Sequence, residues 1–532
     1  LAALVDGERL EELPGIGPVL STKIKELVKT GRSAFLARLE EQVSPDLLVL
    51  FSIPGVGHRT AGKLVEQLDL ENLEQLERAA RCGEVAGLPG MGEGLQQNVL
   101  DFFRKGEGEK EGFHRGIAVP LAERVCAYLD QLPAVLSSSP AGKVRRGTET
   151  APEVIVAASL GEGSPEALGE LLLEMPGVSS LRQAGDSFYL ETVVGMPVQV
   201  TLFSPFEYAA GLVRLTGSPE HWAQLREHAA AKGFQLEGSA LFREESRVDL
   251  PAEGDLYRTL GLQFVPPELR EGSGEIAAAA AGKLPRLLEQ AHIRGDLHIH
   301  SDWSDGSATI EEIREAATAR GYRYIAITDH SPSLKIAGGL SVEQLARQME
   351  QIKKLRQKKG CFVFTGIEVD ILGDGSLDLP NDLLGALELV IASVHSNFRQ
   401  GRREMTARIC RAMEHPAVDL IGHPTGRLIG SRGPYQVDVK KLIEKAAETG
   451  TALEINSSPQ RLDLSEKYLG RAHRKGVRLA VNTDAHSTAT LADMVYGVTA
   501  ARRGGLGPEN FLNTLPPAQL KEALSVKRRR KG

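Results

Sequence analysis

The chain of 532 residues is poor in cysteine: Cys82, Cys126, Cys361 and Cys410 lie far apart, and no CxxC pair occurs. That excludes a paired-thiol motif and leaves the cytoplasm as the expected compartment. No run approaches the roughly 18 apolar residues that a membrane span needs, and no basic-then-apolar leader stands at the start. Membrane insertion is therefore not expected. An excess of positive charge is missing as well. The net charge of −7 argues against a globally basic nucleic-acid binder, although a local positive surface would suffice for DNA. What remains is the composition of a soluble globular protein, 42% apolar and 25% charged, with length for about three to four domains. The first residue is Leu1 rather than Met.

Residues 1–110 hold a repeat: LPGIG at 13–17, IPGVG at 53–57 and LPGMG at 88–92, each before a polar, helix-compatible segment. Proline and two glycines make a tight turn into a helix N-terminus, where backbone N–H groups are free to hold a phosphate. This turn resembles the helix-hairpin-helix element of sequence-independent DNA binders. Gly15, Gly17, Gly55, Gly57 and Arg59 are the expected DNA contacts. The first copy has Lys23 and Lys25 nearby and the second His58, Arg59 and Lys63, whereas the third carries Glu93 where a cation would help. The second copy is expected to bind best.

Residues 111–245 read as mixed α/β, with short strands such as EVIVAAS (153–159) and VQVTLF (198–203). The segment 246–293 is less regular and reads as a linker that packs on its neighbours. From 294 to 532 apolar strands alternate with amphipathic helices such as 310–320, 341–358 and 436–449, the pattern of a parallel β/α domain. Each strand there ends on a ligand-type residue: GDLHIH on His298 and His300, YIAITDH on His330, FVFTGIE on Glu368, LVIASVH on His395, VDLIGH on His423, ALEIN on Asn456, and RLAVNTDAH on Asp484 and His486. In β/α barrels that rim carries the active site.

Alternate residues of a strand point the same way, so His298 and His300 can meet one ion, and Asp484 and His486 form a similar pair. Imidazole nitrogen with carboxylate oxygen suits manganese, zinc or iron. Six histidines with Asp305, Glu368 and Asp484 exceed one ion's needs, so two or three divalent ions are expected. Clustered ions hold a phosphate ester and acidify water, which makes phosphoester hydrolysis the natural reaction. His292, His415 and His473 fall outside strand ends and read as ordinary surface or packing residues.

The motifs HxH (298–300), TDH (328–330), GIE (366–368), SVH (393–395), GHP (422–424) and TDAH (483–486) resemble those of the PHP (polymerase and histidinol phosphatase) domain. The resemblance implies a distorted (β/α)7 barrel. It also implies one ion on His298, His300, Glu368 and Asp484, a second on Glu368, His395 and His423, and a third on Asp305, His330 and His486. Lys335, Arg427 and Arg461 would lie near the rim, where cations grip phosphate oxygens. Over nearly its whole length the chain further resembles bacterial family X DNA polymerases. The marks are the hairpin repeats, VRRGTET (144–150), LTGSPEHWAQLR (215–226) and PPELREGSGE (266–275). That implies a nucleotidyltransferase-like α/β palm before a PHP 3′–5′ exonuclease, with the family's first N-terminal helices absent here.

The palm departs from that pattern. Where the family has GDIDIL and VDLRVV, this chain has PEVIVA (152–157) and VQVTLF (198–203), so Glu153, Ile155 and Gln199 replace three magnesium-binding aspartates. Isoleucine cannot coordinate magnesium, and no other DxD stands between 140 and 210. The expected function is a metal-dependent 3′–5′ exonuclease acting on gapped or single-stranded DNA ends in repair, with polymerase activity lost. The alternatives are a phosphatase on small phosphomonoesters, an active gap-filling polymerase and a non-enzymatic repair scaffold. The basic tail SVKRRRKG (525–532) reads as a solvated end.

Overall fold

The computed structural model describes residues 112–530, most of 50–106, and Ser21, Thr22 and Lys25. The chain divides into two compact units, Leu1–Lys110 and Glu111–Gly532. In the first, helices His58–Leu68, Leu73–Arg81 and Glu93–Gly106 close over a small core that includes Leu64, Leu76, Val85 and Val99. Two of the repeats behave alike. Val56 N–H donates to Ile53 C=O at 3.0 Å and Met91 N–H to Leu88 C=O at 3.0 Å, and Ile53, Val56 and Met91 are buried. Each motif thus uses its apolar residues to pin a turn onto the helices. Gly15, Gly17, Gly55 and Gly57 lie outside the described residues, and Arg59 is described by its backbone alone.

The second unit begins with a five-stranded sheet: β1 (Val135–Ala141), β2 (Val154–Leu160), β3 (Val178–Ala184), β4 (Ser187–Thr192) and β5 (Val198–Phe203), in the order β1-β2-β5-β4-β3. β2 and β5 are parallel neighbours, and Ile155 stands opposite Gln199 in register. The palm positions at issue therefore face one another across adjacent strands, and neither carries a carboxylate. Ile155 packs against the apolar cluster of Ala141, Ala157, Phe203 and Leu212. The Gln199 amide donates to Thr201 Oγ1 at 3.0 Å.

A small antiparallel sheet follows, β6 (Phe234–Glu237), β7 (Ala240–Arg243) and β8 (Ser246–Val248), beside helices Tyr208–Thr216 and Pro219–Ala231. Residues from the expected linker are built into this body. Leu250, Leu256, Tyr257, Val265 and Ile276 share one core with Val213, Leu225 and Leu241. The irregular local pattern concealed apolar side chains that only the folded neighbours bring together.

The C-terminal body is a seven-stranded parallel sheet in sequential order: β9 (Gly295–Ile299), β10 (Tyr324–Ile327), β11 (Phe362–Asp370), β12 (Leu389–Ser393), β13 (Leu420–Ile421), β14 (Ala452–Asn456) and β15 (Leu479–Asn482). It curls into a nearly closed barrel, with a parallel bridge between Ile299 and Ala485 and a 2.9 Å bond from His300 N–H to Ala485 C=O. Side chains alternate as the pleat requires. Ile325, Val363, Val390, Leu453 and Val481 pack outward under the helices, while Tyr324, Phe364, Ile391, Ala452 and Ala480 fill the interior. Leu512, Leu520 and Leu524 join the interior cluster. Along β11 the inward series runs Phe362, Phe364, Glu368, and along β14 Ala452, Glu454, Asn456. The same face thus turns from apolar to ionisable toward the C-terminal ends of the strands. Helices Ile310–Ala319 and Val342–Leu355 start at capping boxes, Thr309 with Glu312 and Ser341 with Gln344, and each cap contributes about 1 kcal/mol.

Candidate metal centre

Glu368, at the inner face of β11, is the hub. Its Oε1 lies 3.4 Å from His298 Nε2, 3.4 Å from His395 Nε2 and 2.9 Å from His423 Nε2. Its Oε2 lies 3.6 Å from His300 Nε2 and 3.0 Å from His330 Nδ1. On the neighbouring side Asp484 Oδ1 is 3.0 Å from His300 Nε2 and 3.5 Å from His298 Nε2. Asp305 Oδ2 is 3.5 Å from His330 Nε2 and 3.4 Å from His486 Nε2. All nine metal-ligand candidates expected from the sequence thus meet at one end of the barrel.

Three imidazoles are held by one nitrogen so that the other faces inward. Nδ1–H of His298 donates to Glu454 Oε1 at 2.8 Å, that of His395 to Asp370 Oδ1 at 2.6 Å, and that of His486 to the Asp484 carbonyl at 2.8 Å. Such outer partners fix the tautomer and ring angle of a metal-binding histidine. Glu454 also accepts from His423 N–H at 2.7 Å and from Asn482 Nδ2 at 2.9 Å. Sequence reasoning passed over Glu454 and Asp370. The signal was present: each stands two residues from a noted position, Asn456 and Glu368, on the same strand face.

Neither oxygen of buried Glu368 accepts a hydrogen bond of proper geometry among the described residues, and His298 Nε2, His300 Nδ1 and His423 Nδ1 are likewise buried and unpartnered. A buried carboxylate without hydrogen bonds costs several kcal/mol unless something else compensates it. Two donors each about 2.1 Å from one ion stand about 3.0–3.5 Å apart at octahedral or tetrahedral angles, which is the spacing around Glu368 and Asp484. Three groups have ligand atoms within 4.8 Å of one another: His300, Asp305, His330 and His486; His298, His300 and Asp484; and His330, Glu368 and His395. The donor set fits divalent ions that accept mixed nitrogen and oxygen.

Charge follows the same geometry. Burial opposes protonation of His330, but Glu368 and Asp305 outweigh it and push the imidazole up to about 10. His395, beside Glu368 and Asp370, rises to about 9 despite its burial. His300 goes the other way, to about 4, through burial and the neighbouring His330. Glu368 and Asp484 are held well below the usual carboxylate range, because the surrounding imidazoles overcome the cost of burial.

Two positions contradict simple strand geometry. β15 stops at Asn482, and Asp484 has φ +56°, so Asp484 and His486 are not alternate residues of an extended strand. His423 also sits at positive φ, +26°. Such backbone costs about 1–3 kcal/mol for a residue with a side chain and gathers at functional sites.

The rim cations separate. Arg461 Nε lies 3.4 Å from Asp484 Oδ2, at the edge of the cluster. Lys335 is exposed in the short turn Lys335–Ala337. Arg427 corrects its expected role. Its Nε donates to Arg461 C=O at 2.8 Å, Nη1 and Nη2 donate to Glu149 at 2.7 and 2.8 Å, and Nη2 also reaches Leu462 C=O. With every nitrogen engaged inside the protein, its guanidinium is not free for phosphate. His292, His415 and His473 bond to Arg286, Asn381 and Asn510, away from the cluster.

A PHP-type barrel behind a polymerase-β-like sheet and thumb defines a multidomain protein of DNA transactions, and comparison with known proteins gives the same answer. Residues 47–105 match the SAM-like helix-hairpin-helix tandem, 211–271 the DNA polymerase beta thumb and 296–458 the PHP domain. The chain is 36% identical over 523 residues to the DNA polymerase/3′-5′ exonuclease PolX of Bacillus subtilis (strain 168), covering 96% of this chain and 90% of that one. The barrel region is 31% identical over 232 residues to a probable phosphatase of Syntrophotalea carbinolica, 41% of this chain and 90% of that one. It is also 31% identical over 250 residues to a probable phosphatase of a Thermoanaerobacter species, 44% of this chain and 96% of that one. The chain belongs to the bacterial family X DNA polymerases with a C-terminal PHP domain.

Proposed function

We propose that the C-terminal barrel is a divalent-metal-dependent 3′–5′ DNA exonuclease and that the palm has lost polymerisation. The observation that carries the reading is Glu368, a buried carboxylate ringed by imidazole nitrogens at ligand spacing, neither oxygen of which accepts a hydrogen bond of proper geometry among the described residues. His298, His300, His330, Glu368 and Asp484 form the centre of the ligand set, with Asp305, His395, His423 and His486 completing it. Manganese is the first choice, with zinc or iron as alternatives. Bound ions would polarise the phosphodiester and acidify water at neutral pH.

The chain's own residues supply the rest. Asp305 and His486 are 33% and 41% exposed and mark the open side by which a DNA end enters. Arg461, beside Asp484, offers a fixed positive charge to a phosphate, and exposed Lys335 a mobile one. The helix-hairpin-helix repeats hold gapped or single-stranded DNA through backbone N–H groups. The printed name of the Bacillus subtilis relative, which includes 3′-5′ exonuclease activity, supports the polymer as substrate.

The experiment is shortening of a 3′-labelled oligonucleotide with manganese. Wild type should degrade it from the 3′ end, and His298→Ala or His330→Ala should lose at least about a hundredfold in rate. An intact oligonucleotide with metal-loaded wild type refutes the reading. A second reading, hydrolysis of small phosphomonoesters, is favoured by the probable phosphatases that the barrel alone resembles. Faster turnover of histidinol phosphate or nucleoside monophosphates than of DNA would select it.

A further inference from the structure

We infer that the palm serves as part of the barrel's site: Glu149 is a positioning residue that, through Arg427, holds the Arg461 loop over the metal cluster. The inference rests on the phosphoesterase reading only for its activity arm.

Glu149 belongs to the VRRGTET stretch of the palm, 278 residues before its partner. It meets Arg427 as a two-pronged ion pair, with the side chains 24% and 14% exposed. Glu149 is the one carboxylate bonded to that guanidinium among the described residues. Arg427 Nε and Nη2 also donate to the carbonyls of Arg461 and Leu462, where Leu462 sits at φ +42°. Arg427 thereby ties the turn after His423 to the loop of residues 457–463. From that loop Arg461 Nε reaches Asp484 Oδ2 at 3.4 Å. Asp463 Oδ2 accepts Thr425 N–H at 2.9 Å, and Asn456 N–H donates to Asp463 C=O at 2.6 Å.

The palm touches the same loop a second time. A Cβ placed on Gly116, in helix Arg115–Leu129, would meet Pro459 Cγ at 2.7 Å, so the helix and the loop are in close contact. The surrounding seam is equally specific. Arg503 of the barrel donates to Arg146 C=O and to Glu271, both at 2.8 Å, and Arg502 to Glu268 at 2.6 Å. Buried bidentate arginine pairs fix geometry as well as add energy, and losing one partner leaves an uncompensated buried charge. A palm without magnesium-binding aspartates therefore retains a physical task.

The test is a double-mutant cycle on the full chain together with amide hydrogen exchange. Glu149→Ala should lower kcat/KM for the 3′-labelled oligonucleotide about tenfold in wild type, but less than about twofold in Arg461→Ala, because both changes act through one side chain. Metal content should be unchanged. Independently of activity, amides of 457–463 should exchange faster in Glu149→Ala while those of β11 and β14 do not change. Glu149→Gln, which keeps the volume and one acceptor, serves if the alanine variant fails to fold and should give a smaller shift in the same direction. Equal losses in both backgrounds, or unaltered exchange at 457–463, overturn the inference. Wild type that binds metal yet spares DNA refutes the nuclease reading instead, and the exchange result then decides the positioning role alone.

Discussion

A carboxylate as deeply buried as Glu368 stays ionised only where positive charge surrounds it on nearly every side. The imidazoles of His298, His330 and His395 do this, and the exchange is mutual, since His330 and His395 are raised to about 10 and 9. A histidine must be neutral to ligate a metal, so each ion has to displace protons that the carboxylates hold in place. With both imidazoles raised above their ordinary value, the metal-free site should hold protons on His330 and His395 at pH 7.5, and metal binding should release them. Manganese affinity should therefore rise as pH goes from 6 toward 9, with at least about one proton released per ion near pH 7.5. Calorimetry in buffers of different ionisation enthalpy measures that number, and binding without proton release would contradict this account. Single residues also show where sequence reasoning stops. The strand-end histidines were legible because an apolar run of period two ending on an imidazole is a local pattern. The inward turn of Arg427 was not, because its partner Glu149 lies in another body.

At the scale of elements, the thumb has its own polar core. His221, at the start of helix Pro219–Ala231, bonds through Nδ1 to Glu275 at 2.7 Å and through Nε2 to Tyr257 Oη at 2.9 Å. Glu275 also accepts the N–H groups of Gly272 and Ser273 at 2.8 and 2.7 Å. Burial lowers the His221 imidazole below 6.5 against the pull of Glu275, and Glu275 itself is lowered by its hydrogen bonds despite burial. Both signs agree. The unfolded chain takes up a proton at the histidine below about pH 6.5 and at the glutamate below about pH 4.5, before the folded thumb does. Thumb stability should therefore be full above pH 6.5 and fall as the solution is acidified, with His221→Gln flattening the upper part of that fall. Hydrogen exchange of the helix Pro219–Ala231 between pH 7.5 and 5.5 reads it. Equal protection at both pH values, after correction for intrinsic exchange rates, would count against the network. The strands Val154–Leu160 and Val198–Phe203 were visible as apolar runs. The place of residues 246–280 was not, since Leu250, Tyr257 and Ile276 find their core only beside Val213 and Leu225.

At the scale of the whole molecule, the chain joins a DNA-binding repeat, a polymerase-like palm and thumb, and a barrel with an ion-sized cluster. Among the described residues no helix is long and apolar enough to cross a membrane. Ile155 stands opposite Gln199 in parallel register, and neither can supply a carboxylate to a magnesium ion, on which the proposed loss of polymerisation rests. Primer extension on a gapped duplex, with dNTPs and magnesium and with His330→Ala removing nuclease background, should give no detectable product. Extension at a rate above the template-free background would return polymerisation to this chain and place its metal ligands elsewhere in the palm.

The residue types at the strand ends and the alternation of strand and helix are properties of the sequence by itself, because each depends on neighbours a few positions away. Which imidazole faces which carboxylate, the support of His298 and His423 by Glu454, and the joining of Glu149 to Arg427 were decided only by the tertiary structure. These contacts depend on side-chain directions set by packing between segments tens to hundreds of residues apart, and no local period encodes them.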